Sequence, residues 1–278
     1  MRNKQLLSII IFCIQLIICM EIYGQKKDSN KYTWIATYDL KYRLDSTNNQ
    51  YREESFVLSF NENQSAFQAN NIILRDSAMR TDKQNNSRKD INTSSILKYR
   101  SNFPEFLITD INKKTVAVSN DFLLDEPIHL EYLEFIFHSW KINKEYKTIN
   151  GIKCTKAEED LFGRHWIVWF STEYPMPFGP YKFFGLPGLI FKIEDSKEDY
   201  LYELRSIRKH STIMPTQYYS NPTRVTKEKY LELFNRYHYT TAMFNSAINS
   251  MTPEMQAKAE EMLKKKKLKE NNPIELKP

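Results

Sequence analysis

The sequence predicts an α+β fold, a mainly antiparallel, strongly curved β-sheet of about ten strands with C-terminal helices packed on one face or end. Three observations carry this. Residues 32–44 alternate Tyr32, Trp34, Ala36, Tyr38, Leu40, Tyr42 and Leu44 with Thr33, Ile35, Thr37, Asp39, Lys41 and Arg43. That period of two marks a strand with one buried and one wet face, as in an antiparallel sheet. Short apolar runs then recur as far as Ile207. From Thr226 onward the apolar spacing becomes helical.

Taken in order, the chain opens with Arg2 and Lys4, an apolar stretch from Leu6 to Met20, and a polar, small-residue end at Gly24. This is the pattern of a secretory signal peptide, with cleavage expected after Gly24. The apolar stretch falls short of the roughly 20 residues that span a bilayer; an uncleaved anchor is the alternative. No transmembrane span is expected beyond it. Residues 25–225 then form a β-rich domain and 226–278 a helical region of the same domain.

The strand Tyr32–Leu44 turns at Ser46–Gln50 and meets a hairpin partner at Phe56, Leu58 and Phe60. Phe67 and Ile72–Leu74 extend the meander. Asp76–Ser95 is charged and Asn-rich and reads as a long loop. Further strands are expected at Ile96–Tyr99, Phe106–Thr109, Thr115–Val118, Leu130–Ile142, Ile152–Ala157, His165–Phe170, Leu189–Ile193 and Tyr200–Ile207. Thr226 caps a helix carrying Tyr230, Leu233, Phe234 and Tyr237, extended through Phe244 and Ile248. Thr252 and Pro253 start another, with a stripe of Met255, Ala259, Met262 and Leu263, stopped at Asn271, Asn272 and Pro273.

The net charge of +6 is mild for this length and gives no argument for nucleic acid. Of the three cysteines only Cys154 follows Gly24, so no intramolecular disulfide is available and folding rests on burial of the aromatics, 14% of the chain. Cys154 alternates with Ile152 as a small buried hydrophobe does. No zinc, calcium, phosphate-loop or Gly-x-Ser-x-Gly pattern is present, so no catalytic residue, metal ligand or cofactor is assigned. Asp45-Ser46-Thr47 and Asp76-Ser77-Ala78 resemble short acidic-hydroxyl glycosylation sites in loops.

Every glycine after Gly24 lies between Gly151 and Gly188, and Pro175, Pro177, Pro180 and Pro187 crowd the same stretch. Gly179-Pro180 is a turn signal, and Gly185-Leu186-Pro187-Gly188 fits a type II turn with Gly188 at its third position. Two readings follow. In one, Tyr181, Lys182, Phe183 and Phe184 form an exposed loop that grips a ligand, beside a wall of Arg164, Trp166 and Trp169. In the other the segment is a tight corner packing Phe183, Phe184 and Leu186 into the core, with Arg164 paired to a carboxylate.

The blocks GIKCTKA (151–157), GRHWIVWF (163–170) and YPMPFGPYKFFGLPGLIFKIED (174–195) resemble the GLPGLI family, named for the string at Gly185–Ile190. The likeness covers residues 142–195. It implies an exported Bacteroidota protein and carries over no activity and no catalytic residue; the signal-peptide pattern leads to the periplasm, the outer membrane or the exterior. Fold analogy then suggests a non-enzymatic envelope protein binding an apolar, lipid-like or peptide-like ligand or an outer-membrane partner. The alternatives are an accessory protein pairing through a sheet edge and a hydrolase with a site that motifs do not reveal.

Overall fold

A computed structural model describes residues 31–85, 98–122, 128–213, 221–241 and 248–277. The signal segment 1–24, residues 86–97 of the expected loop and following strand, and the helical extension at Phe244 lie outside them.

Among the described residues one open sheet of twelve strands carries the fold, with three helices, in place of the ten or so strands expected. Six strands form a consecutive N-terminal run: β1 (Lys31–Tyr42), β2 (Arg52–Phe60), β3 (Gln64–Ala69), β4 (Phe106–Asp110), β5 (Thr115–Phe122) and β6 (Ile128–Phe135). The others are β7 (Lys141–Ile149), β8 (Ile152–Leu161), β9 (Arg164–Ser171), β10 (Leu189–Asp195), β11 (Tyr200–Ile213) and β12 (Thr223–Arg224). Their spatial order is β12-β6-β5-β4-β3-β2-β1-β11-β10-β9-β8-β7. Every register described is antiparallel except the short β12–β6 pair.

The β1 alternation sets the core face. Ala36 stands opposite Leu58, Leu58 opposite Phe67, Phe67 opposite Leu107, Leu107 opposite Val118 and Val118 opposite Tyr132. All six are buried, so one apolar row crosses β1 to β6. Ile193 continues a second row through Tyr202, Val168 and Ala157.

The curvature differs from that of the strongly curved sheet expected. β6 and β7 stand ten places apart, which is roughly 48 Å at about 4.8 Å per strand. Only residues 136–140 join them, a link that reaches no more than about 21 Å. The open sheet must therefore fold back on its core face. His138 pins that link to the other half: its Nδ1 is 2.7 Å from Glu159 Oε2 in β8, and its Nε2 is 3.0 Å from the Lys182 carbonyl. β7, the outer edge strand, is exposed on both faces and carries Lys141, Lys144 and Lys147.

Helix α1 (Asn70–Asn85) replaces the expected strand at Ile72–Leu74 and the first part of the expected loop. Its inward stripe is Ile72, Asp76 and Met79, at helical spacing. Asp76 in that stripe is paired with Arg75, and Asp76-Ser77-Ala78 is therefore helical rather than a loop site. Lys98 and Tyr99 are not in a strand. Helix α2 (Lys227–Tyr239) starts where expected, with Thr226 Oγ1 accepting from the Lys229 N–H, and ends at Tyr239. Its Tyr230 packs on Tyr132 of β6 and Phe122 of β5. Helix α3 (Pro253–Lys269) has the Thr252 cap, but of its expected stripe only Leu263 is buried, while Met255 and Met262 are exposed.

The glycine- and proline-rich segment is a packed corner. Phe183, Phe184 and Leu186 are buried, Tyr38 donates to the Ile190 carbonyl at 2.6 Å, and Gly185 N–H donates to the Pro177 carbonyl at 2.9 Å. The expected type II turn is corrected, because positive φ falls at Gly185 (+88°) and not at Gly188. Gly188 is there for close approach: a Cβ would lie 2.1 Å from the Ser171 carbonyl oxygen, whereas one on Gly185 meets nothing within 4 Å. Gly188→Ala is expected to lose ~1–3 kcal/mol of stability by overpacking, and Gly185→Ala about 1 kcal/mol from the left-handed backbone alone. Urea midpoints check the order; a larger loss at Gly185 would contradict it.

Candidate functional site

A cavity of about 400 Å³ opens between the core face of the sheet, helix α2 and the C-terminal segment after α3. Leu107, Val118 and Tyr132 of the apolar row form its floor, and Tyr200 of β11 one side. Phe103 comes from the stretch before β4; Tyr230, Phe234 and His238 come from α2. Ile274, Glu275 and Leu276 close the remaining wall beside Tyr181 and Lys182.

The wall exists because Arg164 holds it. Arg164 is buried at the start of β9, where Nη1 binds Asp195 at 2.9 Å and Asp199 at 3.2 Å. Its Nη2 donates to Asn272 Oδ1 at 2.7 Å and the Pro273 carbonyl at 2.6 Å, and its Nε to the Ile274 carbonyl at 2.9 Å. The guanidinium lies over the Tyr200 ring, whose hydroxyl donates to the Asn272 carbonyl. Residues 272–277 are thereby stitched across the sheet, with Leu276 N–H donating to the Phe162 carbonyl.

At one end of the cavity four charges alternate in a ring. Lys182 Nζ is 2.6 Å from Glu134 Oε2 and also bonds Glu275 Oε1. Lys227 Nζ is 2.6 Å from Glu134 Oε1 and 3.0 Å from Glu275 Oε2. The four side chains come from β6, the corner segment, the first residue of α2 and the C-terminal segment. Both ammonium groups lie over the Tyr132 and Phe162 rings, and the Tyr181 hydroxyl donates to Glu275. Burial pushes the Glu275 carboxyl upward, but Lys182 and Lys227 outweigh it and hold it below the usual carboxylate range. Burial and Lys182 push Lys227 down, and Glu275 and Glu134 more than restore it. The ring is neutral as a whole and internally satisfied.

Glu105 is different. It lies between Pro104 and Phe106 and lines the cavity, so it retains some accessible surface although protein surrounds it. Burial raises its carboxyl to about 7; its own backbone N–H and the Lys182 ammonium pull the other way, and Glu275 adds to the rise. Its own N–H is the single donor acting on it. The Tyr230 hydroxyl, on the same cavity wall, is buried and also has no hydrogen-bond partner.

His238 faces the cavity beside Phe234, on which it stacks at 4.0 Å. Burial, and then Lys266, lower it to about 4, and its Nδ1 is held by the Phe234 carbonyl. No carboxylate is among the groups that shift it, so no His–carboxylate couple forms there to activate a nucleophile. Cys154 is buried in β8 and burial raises its thiol to about 11, far from a reactive thiolate.

The expected binding residues divide. The exposed-loop reading is corrected: Lys182, Phe183 and Phe184 are buried, and so are Arg164 and Trp166 on the inward side of β9. Trp169, with the opposite parity, is half-buried and carries Lys147 over its ring. Only Tyr181 and Lys182 reach the cavity. Sequence reasoning missed Glu105, Tyr230 as a cavity residue, and the Lys227–Glu134–Glu275 part of the ring. The one available signal was a lone carboxylate inside the apolar run from Phe103 to Ile108.

No protein-family model and no curated protein matches the chain. Two crystal structures of PNGF-II are similar to it, each with a TM-score of 0.54, at 14% and 13% identity over 74% of this chain. This likeness concerns the fold. The chain spans about a third of the PNGF-II chain, 34% and 33% in the two structures. A domain described as an outer membrane lipoprotein-sorting protein, from Vibrio parahaemolyticus, aligns over 73% of this chain and 95% of its own length. Its TM-score of 0.23 and 9% identity are too low to carry an argument. No helix among the described residues is long and apolar enough to cross a membrane.

Proposed function

We propose that this chain is an exported envelope protein of the GLPGLI type that binds a small, largely apolar ligand in the cavity under α2, without transforming it. The observation that carries this reading is the cavity itself. Its volume of about 400 Å³ falls in the range of about 300–1,000 Å³ usual for ligand pockets. Its walls are mostly aromatic and aliphatic, with a few polar groups at fixed places. The basic, then apolar, then small-residue pattern of residues 1–24 supports export. The arrangement of His238 favours binding over hydrolysis. Pairing through a sheet edge is a second reading, favoured by the free outer side of β7 among the described residues. Lys141, Lys144 and Lys147 on that strand oppose it, since edge lysines discourage strand addition.

Native mass spectrometry of the protein purified from the cells that make it tests the proposal. A bound small molecule is expected on the wild type and not on Val118→Phe, which fills the floor of the cavity. A bare wild-type chain, or a ligand that survives in a folded Val118→Phe, would overturn it.

A further inference from the structure

The polar groups of the cavity say what the ligand's head must be. Among the carboxylates lining it, Glu275 is bound by two lysines and a tyrosine hydroxyl, and Glu270 accepts from the Tyr239 hydroxyl at 2.9 Å. Glu105, half-buried, lines the space with its own N–H as the donor that bears on it. The Tyr230 hydroxyl, 1% exposed on the side chain that carries it, is a buried group without a partner. A buried polar group left unpaired is costly, and native interiors pair nearly all of them. A buried hydroxyl without a partner and a half-buried carboxylate on the same cavity therefore mark where a ligand atom belongs.

We propose that the cavity binds an amphiphile with an apolar body and an ammonium head, the head taken by the Glu105 carboxylate and the Tyr230 hydroxyl oxygen. This rests on the reading of the cavity as a ligand site. The chemistry is specific in three respects. An ammonium supplies several donors, and both groups offer oxygen lone pairs. The aromatic rings around the cavity, Phe103, Tyr132, Tyr230 and Phe234 among them, favour a cation over their faces. The two lysines of the ring do not compete for the site, because Lys182 and Lys227 are already matched by Glu134 and Glu275. An anionic head, by contrast, would meet Glu105 directly, and the ring offers it lysines already matched; Lys266, which also lines the cavity, lies over the Tyr239 ring.

An alkylammonium lipid and the amino terminus of an apolar peptide share this chemistry. The test titrates the full chain at pH 8 with octylamine, octanol and octanoate, and with leucyl-phenylalanine amide beside its N-acetyl form, reading heats of binding. Octylamine is expected to bind at least about tenfold more tightly than octanol, the step that a hydrogen bond to a charged group contributes, and octanoate least. In Glu105→Gln the three octyl probes are expected to bind within about threefold of one another. A free-amine dipeptide that binds more tightly than octylamine, and loses binding on acetylation, identifies a peptide source; the reverse order identifies a lipid-like one. Octanol or octanoate binding as tightly as octylamine in the wild type, or an amine preference that survives in Glu105→Gln, overturns the head-group assignment alone. If no probe binds at all, the reading of the cavity as a ligand site fails with it.

Discussion

Arg164→Ala is expected to cost about 3–5 kcal/mol of folding free energy, the scale for removing one member of a buried ion pair, and to loosen residues 272–277. The guanidinium fills five acceptors at once, on Asp195, Asp199, Asn272, Pro273 and Ile274. Alanine leaves Asp195, 1% exposed, as a buried charge with no cation. Asp199 keeps Arg43, so the loss is concentrated at Asp195 and the C-terminal segment. Lysine is not expected to rescue, because an ammonium has three donors and no planar fork to span strand and segment together. Urea unfolding gives the free energy, and hydrogen exchange of residues 272–277 gives the local release. A loss under about 1 kcal/mol, with those amides still protected, would show that the clamp is not what holds the wall.

The second large effect is one of pH. The folded Glu105 carboxyl titrates near 7, above the 4.5 of an ordinary glutamate, so the folded chain holds this proton more tightly than the unfolded one. The stability it contributes is complete below pH 4.5 and is lost as pH rises through 7. The full gap is about 3 kcal/mol at 1.36 kcal/mol per pKa unit, less whatever water in the cavity screens. Glu105→Gln cannot ionise and is expected to lose none of it. The two proteins should therefore be close at pH 5 and separate by up to about 3 kcal/mol at pH 8, with the glutamine variant the more stable. Urea midpoints across that range decide, and parallel profiles would refute the buried-carboxyl account. An ammonium ligand bound to the wild type should close the gap, because it pairs the charge that burial penalises.

Much of the scaffold was legible because its signals are local. β1 declares its inward face in the run from Ala36 to Tyr42, and Thr226 and Thr252 announce their helices by the oxygen they offer to the first turn. Helix α1 was hidden because Asp76 interrupts its buried stripe and its other faces are Asn-, Arg- and Lys-rich. β7 was hidden for the opposite reason: an edge strand with two exposed faces has no alternation to read. The corner at Gly185–Ile190 was visible as a place where backbone shape matters, but its two glycines act for different reasons that only the packing separates. The cavity was the least legible part. Glu134, Lys182, Lys227 and Glu275 come from four distant stretches and are unremarkable one by one. Glu105 differs from other glutamates only in what surrounds it.

The strand order also has a consequence for how the chain reaches this state. β1 to β6 pair in sequence order, each strand beside the next, as do β7 to β11. The seam between these halves is the β1–β11 ladder, crossed by the Arg205–Asp39 contact between residues 166 positions apart. Closing so long a loop adds little to the entropic penalty beyond that of a shorter one. Without Tyr200–Ile213 in place, β1 would stand as a bare edge with Ala36, Tyr38 and Leu40 beside it. A second nascent copy could pair with such an uncovered edge.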